Sequence, residues 1–331
     1  LFPYTTLFRS RDYLAQTGSS LTRNSGLANY GLGYIYYNGK DYERSWKGMR
    51  NVIETARQTG IENNIMADAA LRAGDCMFYS RQYNQAKEYY GMAMNLAPAT
   101  GDYALYQTGL VNGLQRNYQQ KIRDLDKLTS NYPESLYLPS ALYEEGRAYQ
   151  QTDKPNEAVQ VFRRIISDYP QTDLARKALA ETALIYYQTD KLDEAITAYK
   201  DVIARYPGSD EARTALVDLK SIYVEKGDVN SYVAYSETVQ GAAPIAVSER
   251  DSLSYTAAEG LFSRGEIKQA KAKFSDYLEQ FPNGAFASNA WYYLGVLLEE
   301  ENDYDGAYES FMHCASYESS RFAEGALDHA S

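Results

Sequence analysis

The chain has 331 residues, 44% hydrophobic and 23% charged, with a formal net charge of −11. That composition excludes wholesale disorder, and about two domains are expected from the length. The mean hydropathy is −0.53 and the longest apolar run, Trp291 to Leu298, is far too short to span a bilayer. An acidic surface of pI about 4.9 repels phosphate backbones and anionic lipids, which argues against nucleic-acid and membrane-surface binding. Two cysteines and two histidines supply neither a disulfide framework nor much metal chemistry. Tyrosine is the outlying count, at 33 residues.

The opening LFPYTTLFRS (1–10) lacks a methionine and reads as the translation of a widely used sequencing adapter, so the search for repeats starts at residue 11. Any signal peptide or lipidated cysteine would then lie upstream. The closing ALDHAS has no helix-stop signal, so the sequence reads as a fragment at both ends.

Six prolines mark a period: Pro98, Pro133, Pro170, Pro207, Pro244 and Pro282, spaced 35, 37, 37, 37 and 38 residues apart. Four of them follow an aromatic, Tyr132, Tyr169, Tyr206 and Phe281. Because proline cannot continue a helix, each marks the end of one helical unit. Eight units begin near residues 26, 67, 102, 139, 176, 213, 251 and 288. Taken in chain order, seven carry a small residue in the first half: Gly33, Gly74, Gly109, Gly146, Ala183, Ala258 and Gly295. Five carry an alanine twelve residues further on: Ala86, Ala158, Ala195, Ala270 and Ala307. Four residues later stands a bulky side chain, Tyr90, Phe162, Tyr199, Phe274 or Phe311. Polar turns such as 38–41, 152–156 and 189–193 separate the halves. Small residues where two antiparallel helices cross let the backbones approach, and the bulky residue fills the space beside them.

Trp291, Leu294, Gly295, Ala307 and Phe311 match the tetratricopeptide pattern W-x2-L-G-x2-Y…A-x3-F…P, with Leu298 at its tyrosine. Leu32-Gly33 with Tyr36, and Gly146 with Tyr149, Ala158, Phe162 and Pro170, match it as well. The chain thus resembles the tetratricopeptide-repeat family over essentially all of 11–331. Its period near 37 resembles bacterial envelope members such as the Tol–Pal coordinator and the β-barrel assembly lipoprotein, and the long tyrosine-rich proteins of Bacteroidota-type bacteria. The fold that this implies is all-α, a right-handed superhelical solenoid of antiparallel helix hairpins. Residues 11–25 read as the second helix of a truncated repeat, 26–240 as units one to six, 241–250 as a seam, 251–321 as units seven and eight, and 322–331 as the start of another repeat. The sixth unit departs from the pattern, with Lys220 and Tyr232 where small residues belong, and a splayed hairpin is expected there.

The resemblance also implies a concave face lined by first helices. Family positions place Tyr30, Tyr34, Tyr37, Phe78, Tyr79, Tyr103, Tyr106, Tyr143, Tyr187, Tyr255, Phe262 and Tyr292 on it. The fifth position of the unit is tyrosine in five of eight units (30, 106, 143, 255 and 292). Tyrosine combines a large rigid contact area with a hydroxyl, which suits a partner-binding groove. The alternative use of each ring is packing against its neighbour helix.

Catalytic and metal patterns fail. No GxxxxGK, HExxH or CxxC is present. His313-Cys314 has no mate, and Glu301-x-Asp303-x-Asp305-Gly306 has Met312 where a calcium loop needs a bidentate glutamate. The expectation is a non-catalytic scaffold without metal or cofactor, binding a protein or peptide partner and no nucleic acid. Periplasmic or outer-membrane association rests on the resemblance alone. The competing expectation is the recognition arm of a larger enzyme or regulator.

Overall fold

The computed structural model describes residues 21–317 and 320–331. The adapter-like decapeptide and residues 11–20, expected above to belong to a truncated repeat, lie outside them. The described residues form seventeen α-helices and no strand, the first sixteen joined pairwise into eight antiparallel hairpins. Two compact units divide between Ala178 and Leu179. The first holds α1 (Arg23–Asn38), α2 (Tyr42–Thr59), α3 (Asn63–Tyr79), α4 (Tyr83–Leu96), α5 (Asp102–Leu114), α6 (Tyr118–Asn131), α7 (Leu138–Gln151) and α8 (Pro155–Asp168). The division falls within α9 (Asp173–Gln188). The second unit continues with α10 (Leu192–Arg205), α11 (Asp210–Glu225), α12 (Val229–Ser236), α13 (Val247–Ser263), α14 (Ile267–Gln280), α15 (Ala287–Glu300), α16 (Tyr304–Ala315) and α17 (Ala323–Ala330).

Every hairpin but the sixth closes on a contact between a glycine or alanine of its first helix and a bulky side chain sixteen residues later. A Cβ added at Gly74 would lie 2.6 Å from the Tyr90 ring, one at Gly146 2.6 Å from Phe162, and one at Gly295 2.7 Å from Phe311. Gly33 and Gly109 stand in the same relation to Met49 and Leu125, at 2.9 and 2.8 Å. Tyr90, Phe162, Phe274 and Phe311 are among the largest fully buried side chains. Alanines 86, 158, 195, 270 and 307 beside them are buried, as are Ala183 and Ala258 on the first helices.

The turn between the two helices is equally regular. Seven residues after the small position the backbone turns left-handed in every hairpin, at Lys40, Arg81, Arg116, Asp153, Asp190, Gly227, Gly265 and Asn302, with φ between 56° and 76°. Aspartate or asparagine then caps several second helices, as where Asp41 accepts from the Arg44 N–H and Asp303 from that of Gly306. The repeat ends at the aromatic before proline. Tyr132, Tyr169, Tyr206 and Phe281 cap α6, α8, α10 and α14 with φ near −130° and ψ between 46° and 66°, outside the helical region that a following proline disfavours. Tyr132 Oη also donates to the Pro98 carbonyl (2.6 Å), and Tyr317 Oη to that of Pro282 (3.1 Å). Each therefore ties one repeat boundary to the previous one.

The sixth hairpin keeps this register, since Gly227 carries its left-handed turn with φ 70°. Its side chains are exchanged in size. Lys220 pairs outward with Glu249 (3.3 Å), and the position sixteen residues on, bulky elsewhere, is the buried Ser236. Tyr232 is buried beside the Tyr223 ring, 6.3 Å between centroids. Its second helix, α12, has only 8 residues, and 237–246 is irregular.

One buried carboxylate is left without its full complement of partners. Glu145 of α7 is 4% exposed and its Oε2 accepts no hydrogen bond among the described residues. Burial first, and then the Asp126 charge, push its carboxyl up to about 7, against the opposing pull of Arg164. The ionised form is therefore less stable folded than unfolded, so stability present below the unfolded pKa is lost as pH rises through the folded value.

Two outcomes follow from this packing. Gly265 has a φ of 76° and no atom within 4 Å of an added Cβ, so Gly265→Ala should cost about 1 kcal/mol through backbone strain alone. Gly265→Asn should cost less in the same urea titration, as asparagine adopts this conformation more readily. Between pH 4.5 and 8 the parent chain should lose up to about 3 kcal/mol at the Glu145 site. Glu145→Gln should remove that slope in thermal melts across pH, and an unchanged slope would exclude Glu145 as its source.

Candidate partner-binding face

In the first unit the first helices α1, α3, α5 and α7 carry the expected tyrosines, and the structure brings several of them onto two carboxylates that sequence reasoning missed. Asp68 of α3 accepts from Tyr30 Oη (2.7 Å) and from Tyr34 Oη of α1. Asp75, one turn pair further along α3, accepts from Tyr103 Oη of α5 (2.8 Å), Tyr90 Oη of α4 (2.9 Å) and Tyr37 Oη of α1 (3.3 Å). Arg72 lies between them on α3, bonded to Asp75 at 2.5 Å and over the Tyr103 and Tyr37 rings at 5.1 and 5.6 Å.

This is a buried, charge-bearing network. Burial pushes the Asp75 carboxyl up, while Arg72 and the three phenols oppose it. Arg72 itself is held protonated: burial works against the charge, and Asp75, Tyr103, Tyr34 and Asp68 together outweigh it. Tyr30 is pushed up to about 12, by burial first and then by Asp68, and Tyr34, Tyr37 and Tyr103 rise for the same kind of reason. The hydroxyls of Tyr30, Tyr34, Tyr37 and Tyr103 thus join adjacent first helices to one another.

Of the remaining aromatics of this unit, Tyr79 is exposed and Phe78, Tyr106 and Tyr143 are half-buried. Tyr79 is 55% exposed and stacks on Tyr42, 4.6 Å between centroids. Tyr106 stacks on Tyr137 at 5.4 Å, and Tyr143 tilts against Phe162 at 5.7 Å. Phe78 opens onto a cleft of about 470 Å³ that also takes in Leu110, Leu114, Tyr118, Glu144 and Arg147. The third hairpin departs from the pattern at this cleft, with Lys121 at the alanine position. Gly113 leaves room for that side chain, since an added Cβ would lie 3.1 Å from it. The Lys121 ammonium reaches across to Glu144 in an ion pair. Leu114 on the cleft wall is 56% exposed.

In the second unit the expected residues divide. Tyr187 Oη donates to Glu225 at 3.3 Å. Phe262 packs on Tyr293 and Phe274, with centroids at 5.0 and 6.5 Å. Tyr292 meets Phe322 and Phe311 at 4.8 and 5.9 Å. Tyr255 departs from the expectation of a groove residue: at 4% exposure it belongs to the core, stacked on Phe286 at 4.6 Å with its hydroxyl on Glu259. The cause is Phe286 at the entry of α15, which closes over the ring.

The sequence comparisons agree with this architecture. Residues 138–300 match the family described as an outer membrane lipoprotein, YfiO, and tetratricopeptide-repeat models match 103–135 and 288–321. No curated protein matches the chain. Among solved structures, a tetratricopeptide repeat protein from Parabacteroides merdae ATCC 43184 is 15% identical with a TM-score of 0.49, over 83% of this chain and 99% of that one. The MamA protein is 19% identical with a TM-score of 0.46, over 54% and 91%. A chain of Naa15/Naa10 bound to HypK-THB is 15% identical with a TM-score of 0.55, over 92% of this chain and 44% of that one, a likeness of fold. The two tetratricopeptide-repeat models match the third and the eighth hairpin of the chain.

Proposed function

We propose that this chain is a non-catalytic protein-interaction scaffold that holds a partner segment against its first-helix face, in the assembly or organisation of a bacterial cell envelope. The observation that carries the reading is the cleft beside Phe78 and Leu114, where apolar side chains stay open to solvent next to the stacked Tyr106 and Tyr137 rings. Apolar surface of this kind, bordered by the Lys121–Glu144 pair and Arg147, offers a desolvated centre with a polar rim, the anatomy of a binding hot spot. The match over 138–300 to a family described as an outer membrane lipoprotein supports an envelope setting, periplasmic or outer-membrane associated. No described helix is long and apolar enough to cross a membrane.

A pull-down from envelope extract with residues 11–331 tests this reading. The Tyr106→Ala/Tyr143→Ala variant and, separately, Leu114→Ser should each weaken capture of the partner by at least about tenfold, or roughly 1.4 kcal/mol. Thermal melts must show both variants folded. Equal capture by parent and folded variants would place the interface elsewhere on the chain.

A further inference from the structure

The cleft beside Phe78 and Leu114 carries a chemical preference of its own. Its wall is apolar at Phe78, Leu110 and Leu114, of which Leu114 is exposed and the other two half-buried. The Tyr118 hydroxyl of α6 and the Arg147 guanidinium of α7 border that wall. Neither group has a hydrogen-bond or ion-pair partner among the described residues. Arg147 is exposed and Tyr118 half-buried, so both are open to what enters the cleft.

The charge around the cleft runs against that of the whole chain. No acidic residue lies between Asp75 and Glu88, or between Asp102 and Asp124, the stretches that contain the turns of the second and third hairpins. The same stretches carry Arg81, Lys87, Arg116, Lys121 and Arg123. Lys87 of α4 reaches the end of α5 and meets amide oxygens there, Asn112 Oδ1 at 3.2 Å and Gln115 Oε1 at 2.7 Å. The nearby carboxylates are already engaged. Glu144 pairs with Lys121, and the buried Asp124 accepts from the Asn112 and Gln120 amides. In a chain of net charge −11 this leaves a positive field at an apolar opening, which a low-dielectric cleft wall focuses.

We propose that this cleft takes a leucine or aromatic side chain of the partner segment, flanked by a side-chain carboxylate. The apolar group seats against Phe78, Leu110 and Leu114, and the carboxylate accepts from Arg147 and from Tyr118 Oη. A guanidinium and a phenol both donate, so the polar half of the site recognises an acceptor, and the unpaired positive charge selects an ionised one over an amide. A basic segment is repelled, and a purely apolar one leaves Arg147 without a partner. The inference rests on the reading of the cleft as a partner site and adds the chemistry of what enters it.

The test titrates the full chain with the capped tripeptide acetyl-Glu-Leu-Glu-amide, whose only carboxylates are on side chains, and follows the methyl resonances of Leu110 and Leu114. Acetyl-Gln-Leu-Gln-amide is the neutral comparison, and acetyl-Glu-Ala-Glu-amide lacks the apolar anchor. The expected result is a saturable shift with the acidic leucine peptide and at least about tenfold weaker binding of each comparison. The preference for acidic over neutral peptide should shrink as salt is raised. Arg147→Gln should bring the acidic peptide down to the affinity of the neutral one while leaving the neutral one unchanged, a pattern that loss of structure would not give. Tyr118→Phe should weaken the acidic peptide several-fold. Equal binding of acidic and neutral peptides, unchanged binding in Arg147→Gln, or no response across the millimolar range would each overturn the assignment. Such a result beside partner capture that still depends on Tyr106, Tyr143 and Leu114 would leave the partner site standing and reject only its acidic preference.

Discussion

The structure depends on one contact, the seating of a second-helix side chain against a glycine or alanine of the first helix. At Gly146 and Gly74 a single added carbon would lie 2.6 Å from the opposing ring, closer than any real packing contact. The helices of a hairpin can be this near only because the first helix lacks side-chain bulk at that level. The left-handed turn seven residues later and the buried alanines of the second helix follow from the same spacing. A hairpin so built buries one face and leaves its flanks to the neighbouring hairpins, so stability is distributed along the array. The sixth hairpin shows that the requirement concerns summed volume: the bulky residue is replaced by Ser236 where the small one is replaced by Lys220, whose head group leaves for Glu249.

The abundance of tyrosine resolves into distinct physical tasks. Tyr90 fills a hairpin core and still satisfies its hydroxyl on Asp75. Tyr132 and Tyr317 reach back to the preceding proline carbonyl. Tyr30, Tyr34, Tyr37 and Tyr103 converge with Arg72 on Asp68 and Asp75, so that three consecutive first helices share one hydrogen-bonded network. Such a network is favourable only while all its members are satisfied, which holds the first-helix face of the first unit in one arrangement. Preorganisation of that kind lowers the ordering cost when a partner binds.

Much of the fold was legible in the sequence because its determinants are residue types at fixed spacing. The aromatic–proline pairs and the small residues sixteen positions before a bulky one need no three-dimensional information. The left-handed turns were less legible, since six of the eight positions are lysine, arginine, aspartate or asparagine rather than glycine; only their constant offset from the small residue gives them away. The candidate face was legible by residue class, and its electrostatics were not. Asp68, Arg72 and Asp75 look like an ordinary solvated helix face, and only the packing of α1 and α5 on α3 reveals that Asp75 is buried. The spacing of the acids around Arg72, four residues before and three after, was the available signal. Tyr255 was misplaced because Phe286, Tyr277 and Phe274 together enclose its ring, a burial that the residue's repeat position alone does not reveal.

The scaffold and its candidate binding surfaces both rest on that first contact, because it sets how closely the first helices line up. A double-mutant cycle at Gly146 and Phe162 measures it most directly. Gly146→Ala should destabilise the parent by about 1–3 kcal/mol despite the better helix propensity of alanine. In a Phe162→Leu background, where the opposing side chain is shorter, most of that cost should vanish, leaving a coupling of about 1 kcal/mol or more. Strict additivity of the two substitutions in urea titrations would contradict the account, for it would mean that the glycine is not there to admit the ring.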